Sequence, residues 1–213
     1  MEFDVKIFIM VLLSISTLYS AMSDESWANL KKQYILSKTL SQDANVQFGM
    51  AMAYSYTGFI QEGFNKIASI PSIDPTFKSL VVDKYLKKTE LNPNNWLHHW
   101  YLAFAFYVNE RKDEALVEFQ KVINLVPDPS IKGWAWGYIA YIYGERKDWP
   151  RAMTAINNAI KLEPDGSGLY FAKGLALKET GDTVGAAGAL VMAGTLQAKQ
   201  MFGKRSISKL KND

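Results

Sequence analysis

The chain has 213 residues, of which 24 are basic and 21 acidic, and a formal net charge of +3 at pH 7. So small a charge leaves no general electrostatic footprint for nucleic acid. The absence of cysteine excludes disulfides, thiol nucleophiles and cysteine-ligated metals. Apolar residues recur with helical spacing and without alternating strand-like runs, so we predict an all-α protein in one elongated domain.

An apolar run at 7–13, extended by Ile15 and Leu18, dominates the N-terminus. Its length is typical of a secretory signal core and is short for a membrane span, which needs about 20 residues. Two acidic residues and one basic residue, Lys6, precede this run, and no small-x-small cleavage site follows it. We therefore leave open whether the segment is cleaved or retained. We expect residues 1–22 to be a signal peptide or membrane anchor, with a buried N-terminal helix as the alternative.

Two amphipathic helices are predicted in the first half of the chain. The first, about 24–40, places Trp27, Leu30 and Tyr34 on one face. We assign residues 23–42 as an N-terminal capping helix, because the end of a helical stack needs a cover. The second is an inserted helix over 76–92, which Asp74 and Pro75 introduce.

Residues 133–166 predict two antiparallel helices. Small Ala140 and Ala152 let the helices approach closely, while large Trp136 and Ile156 fill the space beside them. Pro164 lacks a backbone donor and so ends the unit. The same pattern recurs over 96–129 and 167–200, and more weakly over 44–77.

The frame of these repeats has one rival. The string Glu-Arg-Lys-Asp occurs at 110–113 and again at 145–148, and alignment on it would shift the first helix by two residues. The spacing from Ala103 to Ala115 equals that from Ala140 to Ala152 without any deletion. We therefore prefer the unshifted frame.

This pattern resembles the tetratricopeptide repeat (TPR) family, whose period is about 34 residues. The resemblance is specific for 96–197 and moderate for 44–77, and it points to a bacterial envelope type. It implies an α-solenoid of helix-turn-helix repeats over 43–203, three clear and one degenerate, behind the N-terminal signal or anchor segment. The implied units are 44–77, 96–129, 133–166 and 167–200.

The resemblance also implies a binding groove, since partner peptides of TPR proteins usually lie along the concave face of the first helices. The positions carried over give a partner-binding groove of Phe48, Met52, Trp100, Phe104, Tyr107, Trp134, Tyr141, Phe171 and Leu175. The lysine and asparagine of the family's carboxylate clamp are missing, so we expect an apolar or helical segment as partner. The alternative is that some of these aromatics are core, covered by the helix at 24–40 or at 76–90.

Candidates for chemistry are few. His98 and His99 are the only histidines, and adjacent helical residues point about 100° apart, so the pair cannot share one metal ion. Four aspartates stand at predicted helix starts or turns, where a short acceptor caps free backbone donors, namely Asp128, Asp148, Asp165 and Asp182. We predict no catalytic, cofactor-binding or metal-binding residue, no cofactor and no enzymatic activity.

The C-terminal part is rich in glycine and alanine at 184–196, where Gly185, Ala189 and Ala193 share one face. Helical glycine costs stability, which close approach of another helix should offset. We expect this helix to pack on its predecessor and to allow self-association or contact with a partner subunit. Residues 204–213 form a basic tail, expected to be solvated, with contact to anionic lipid as the alternative.

Together these features predict a non-enzymatic protein–protein interaction scaffold or adaptor in an exported or membrane-associated assembly. Its location would be the periplasm or cell envelope if the source is bacterial. Two alternatives stay open, namely a permanent structural subunit of an oligomeric envelope machine and a small-molecule or glycan sensor. No nucleic acid partner is expected.

Overall fold

The computed structural model describes residues 22–203 and 205–212. These residues form an all-helical protein without a strand. The helices are α1 (Asp24–Thr39), α2 (Ala44–Tyr56), α3 (Ile60–Ser69), α4 (Phe77–Leu91), α5 (Trp96–Val108), α6 (Lys112–Leu125), α7 (Pro129–Glu145), α8 (Trp149–Leu162), α9 (Ser167–Glu179), α10 (Thr183–Phe202) and α11 (Ile207–Asn212).

The predicted signal or anchor segment falls almost wholly on residues 1–21, which lie outside the described residues. Within 22–203 and 205–212, each helix is too short or too polar to cross a bilayer.

Short acidic side chains cap several helices, as their positions in the sequence predict. The Asp128 carboxylate accepts a hydrogen bond from the backbone N–H of Ser130 at 2.8 Å, and Asp148 and Asp182 cap α8 and α10 in the same way. Asp165 was wrongly expected to be a cap. It lies one residue before the N-cap of α9 and instead accepts from Lys199 at 2.9 Å.

Four antiparallel hairpins make up most of the chain: α2 with α3, α5 with α6, α7 with α8, and α9 with α10. Each hairpin turns through three residues. The middle residue has a left-handed backbone in every case, at Gly58 (φ 85), Glu110 (φ 61), Lys147 (φ 57) and Gly181 (φ 90). Glu110 thus occupies the same place in its turn as Lys147, and not as Glu145, which is the spacing that the unshifted frame predicts.

The α2 helix is central to the fold. It carries no charged residue, and every residue from Gln47 to Tyr56 is buried. A helix that is apolar all round has to be covered on all sides, and α2 packs against α1, α3 and α7. Its Phe48 ring lies 5.3 Å from Phe77 of α4 and 5.6 Å from Tyr101 of α5. The α2 helix of the first hairpin is therefore inside the protein, whereas α3 buries only Gly63.

The C-terminal segment returns to the beginning of the chain. Leu210 of α11 is 2% exposed, and Ile207, three residues earlier, also packs on the core. The Arg205 guanidinium donates to the Met22 carbonyl and to the Asp24 carboxylate. The expected solvated tail over 204–213 was therefore wrong for these residues, because two apolar side chains one turn apart hold α11 in place.

Glu163, which directly follows α8, carries a buried carboxyl group and is only 3% exposed. A Cβ on Gly133 would lie only 2.8 Å from the Glu163 Cβ, and the Oε2 atom has no hydrogen-bond partner among the described residues. Burial raises the pKa of Glu163 to about 7, Ser130 lowers it by a hydrogen bond, and Asp165 raises it.

The turn between α2 and α3 should not tolerate a side chain. Gly58→Ala should lower the free energy of unfolding by roughly 2 kcal/mol or more, because φ is 85° and the new Cβ would lie 2.6 Å from Trp134 Cζ2. Gly194→Ala is the matched control, since its Cβ meets nothing within 4 Å, and it should gain up to about 1 kcal/mol. Urea unfolding measures both, and equal effects would contradict the close contact with Trp134.

The stability of the chain should depend on pH through Glu163. Between pH 4.5 and about 7 the folded chain holds a proton on Glu163 that the unfolded chain releases. The free energy of unfolding should therefore fall as pH rises through this window, by on the order of 3 kcal/mol. Glu163→Gln should remove this fall, whereas Glu179→Gln at the exposed end of α9 should keep it. Urea titrations across the window would contradict the account if all three proteins behaved alike.

Candidate functional site

The predicted groove residues divide into a buried set and an exposed set. The early ones are buried, with exposures of 6% or less, namely Phe48, Met52, Trp100, Phe104 and Trp134. Tyr107 is half-buried. The late ones are open to solvent, with Tyr141 at 45%, Phe171 at 53% and Leu175 at 44%. The structure thus divides the predicted groove into a filled part and an open part.

The first hairpin fills the early part of the groove. The Trp100 indole N–H donates to the Ser55 hydroxyl at 2.8 Å, and the Tyr138 hydroxyl donates to the Ser55 carbonyl at 3.3 Å. Both bonds join α2 to the inner side of α5 and α7. The early aromatics are therefore core residues. Trp100 and Trp134 are covered by α2 and its turn at Gly58. Of the two helices considered in the sequence, the one at 76–90 covers Phe48, since the rings of Phe77 and Tyr85 lie 5.3 Å and 5.9 Å from the Phe48 ring.

Contacts between aromatic rings stabilise the filled part of the groove. Trp100 and Phe119 meet edge to face at 5.7 Å, Phe104 and Tyr138 at 4.8 Å, and Phe119 stacks on Tyr138 at 5.5 Å. Offset and edge-to-face pairs of this kind add stability beyond the area that they bury. Trp100, at 0% exposure, lies at the centre of this cluster.

The remaining surface, here called the open face, consists of Tyr107, Tyr141, Phe171 and Leu175, with Phe64 of α3 at its edge. The Tyr141 ring lies 5.9 Å from Phe64 and 6.1 Å from Tyr107. On α9, Phe171 and Leu175 are exposed one turn apart. The face therefore presents large apolar side chains from α3, α5, α7 and α9.

Contacts at its two ends limit the open face. Ile60, at the start of α3, lies near Gly168 of α9, with its Cγ1 3.8 Å from where a Gly168 Cβ would be. At the other end the Tyr107 hydroxyl donates to Glu145 Oε1 at 3.1 Å, and Lys112 Nζ lies 3.4 Å from Glu145. Burial, followed by the neighbouring Tyr141 and Glu145, raises the pKa of Tyr107 well above its usual range. Its phenol is therefore a neutral hydrogen-bond donor at physiological pH.

The two histidines have separate structural partners. His99 is buried, with Nδ1 2.5 Å from Glu118 Oε2 and Nε2 2.8 Å from the Pro93 carbonyl oxygen. His98 Nδ1 lies 3.1 Å from the Lys88 carbonyl oxygen. In the part of the chain that the structure describes, histidine and acidic side chains form no group of three or more that could hold a metal ion.

Sequence reasoning did not assign the roles of several residues that shape the site. Ser55 joins α2 to α5 and α7, Tyr138 completes the aromatic cluster, and Phe64 borders the open face. The available signal was the uncharged sequence of α2, which is typical of a helix buried on all sides.

Comparisons with known proteins give limited similarity. No protein-family model matches the chain. It is 30% identical over 102 residues to bacteriophage adsorption protein A of Escherichia coli (strain K12), which is 47% of this chain and 10% of that protein. The chain thus spans about a tenth of the length of the curated relative that it matches.

The solved structures that are similar to this chain include MamA proteins, which have low sequence identity to it. A crystal structure of MamA has a TM-score of 0.46 and 15% identity over 80% of this chain and 87% of its own. MamA 41-end from Desulfovibrio magneticus RS-1 has a TM-score of 0.46 and 13% identity, over 84% and 98%. Similarity at this level carries no argument about function.

The division of the groove predicts a large loss of stability for one aromatic truncation and a small loss for another. Trp100→Ala should lower the free energy of unfolding by roughly 3–5 kcal/mol, because it empties a fully enclosed site. Tyr141→Ala, at a side chain that is 45% exposed, should cost about 1 kcal/mol or less. Urea unfolding followed by circular dichroism measures both. A small loss for Trp100→Ala would contradict its place in the core.

Proposed function

We propose that the chain is a non-enzymatic TPR-type scaffold that binds a polypeptide segment at the open face. The observation that supports this is the exposure of Tyr141, Phe171 and Leu175 on the first helices of two consecutive hairpins. Exposed aromatic side chains with few rotatable bonds are the usual anchors of protein interfaces.

The partner is proposed to be an apolar or amphipathic helical segment. The four groove residues of the open face are uncharged, and at its Tyr107 end Glu145 and Lys112 are paired with each other at 3.4 Å. A segment with apolar anchors one helical turn apart would match the spacing of Phe171 and Leu175. The contact between Ile60 and Gly168 limits one end, so the segment would extend toward Tyr107.

An exported or membrane-associated assembly is the proposed setting. The apolar composition of residues 7–13 supports it. A matched relative whose name assigns it to bacteriophage adsorption is compatible with a cell-envelope location. Self-association through residues 184–196 forms the second part of the proposal, because α10 exposes Val184 and Val191 at 83% and 71%. These contacts would also suit a structural subunit of a larger assembly.

Site-specific photo-crosslinking in the native cells tests the open face. A photoreactive phenylalanine analogue at position 171 or 175 should give a crosslinked protein product. The same analogue at Leu80 of α4, which is 60% exposed, is the matched control and should not give that product. Products that are absent at 171 and 175, or equally strong at Leu80, would count against the proposal.

The double variant Tyr141→Ala with Phe171→Ala should weaken capture of the crosslinked partner at least about tenfold, since anchor residues each contribute 1 kcal/mol or more. Both side chains are exposed, so the melting temperature should change little. A variant that captures the partner as well as the wild type would show that the binding surface lies elsewhere.

A further inference from the structure

The last long helix, α10, has two uncharged faces. Its inner face is alanine-rich, packs on α9 and is buried, at Ala186, Ala189, Ala193 and Leu196. Its outer face, here called the seam, is exposed along the whole helix, at Val184, Gly188, Val191, Thr195, Ala198 and Phe202. Steps of four and three residues alternate along the seam, which is the spacing of a helix that packs against another helix.

The seam is unusually apolar for a terminal surface. Val184, Val191 and Phe202 are 83%, 71% and 86% exposed, and a Cβ on Gly188 would meet nothing within 4 Å. The end of a soluble helical stack normally carries a polar outer face. Lys199 is the one charged side chain of α10, and it already pairs with Asp165 at 2.9 Å.

We propose that the seam binds the seam of a second copy of this chain, with the two α10 helices antiparallel about a twofold axis. This deepens the self-association part of the proposed function and rests on it. The order of the steps reads the same in both directions, so a twofold axis between positions 191 and 195 brings all six residues into register. Val184 then faces Phe202, Gly188 faces Ala198, and Val191 faces Thr195.

Size and charge both favour this arrangement. The small pair Gly188 and Ala198 lets the helix axes approach, and the larger pair Val184 and Phe202 covers the two ends. Each Lys199 would lie opposite the uncharged Ala187 of the other copy, so no like charges meet. A charged partner helix would find no opposite charge on the seam, whereas a second copy brings an equally neutral surface.

The length of α10 limits the area that the contact between the two copies can bury. Twenty residues of helix span roughly 30 Å. A single pair of helices of that length buries an area near the lower end of the range for stable interfaces, about 1,200 Å². The dimer should therefore be weak and its population should depend on concentration.

Analytical ultracentrifugation of the full chain tests the proposal. The mass should rise with concentration from 24.0 kDa toward twice that value. Val191→Lys should weaken dimerisation at least about tenfold by placing like charges close to the axis. Val117→Lys is the matched control, because Val117 of α6 is 54% exposed and lies away from the seam. A chain that stays monomeric, or a dimer that Val191→Lys leaves unchanged, would overturn the proposal.

Disulfide trapping tests the register. The chain has no cysteine, so Val184→Cys and Phe202→Cys each provide a unique thiol. Oxidation of a mixture of the two variants should give the mixed disulfide-linked dimer, and Val184→Cys alone should give little. The opposite result would overturn the antiparallel pairing.

The open-face proposal and the seam proposal can be tested independently of each other. The double variant Tyr141→Ala with Phe171→Ala should still dimerise, and Val191→Lys should still give crosslinks from the open face. Loss of both functions in both variants, with folding intact, would contradict the separation of the two surfaces.

Discussion

Burial of the uncharged α2 helix against the inner side of α5 and α7 is the constraint on which the rest of the structure depends. The helix has no polar face to turn toward water, so it is stable only when other helices surround it. Ser55 fixes its position by joining the Trp100 indole and the Tyr138 hydroxyl. The left-handed turn at Gly58 then brings the backbone against Trp134 and sends α3 along the edge of α7.

This insertion decides which part of the inner surface is available to a partner. The hairpin occupies the inner side of α5 and the first half of α7, where the aromatics are core. Beyond it, Tyr141, Phe171 and Leu175 have no such cover from the described residues and are exposed. At the far end of the stack, α10 presents a second apolar surface that points away from α9. A scaffold with one face for a partner segment and another for its own copy follows from this arrangement as a proposal.

Local features of the sequence predicted much of the fold. These features depend on neighbours in the chain: aspartates at helix starts, alanines where helices approach closely, and the spacing from Ala103 to Ala115. The structure confirms the aspartate caps at Asp128, Asp148 and Asp182. The position of α2 could not be derived in the same way. Repeats that stack in sequence would leave its inner face open, and only contacts between distant residues, such as Ser55 with Trp100, place it inside. The packing of α11 on the N-terminal region is likewise a long-range contact, which Ile207 and Leu210 mediate.

Amide hydrogen exchange followed by mass spectrometry tests the central claim most directly. If α2 lies inside the protein, the backbone of residues 47–56 should exchange as slowly as that of α5 and α7 and open together with them. If instead α2 belonged to an outer repeat at the end of a regular stack, it would exchange much faster than α5 to α8. That result would contradict the inserted hairpin and the division of the inner surface.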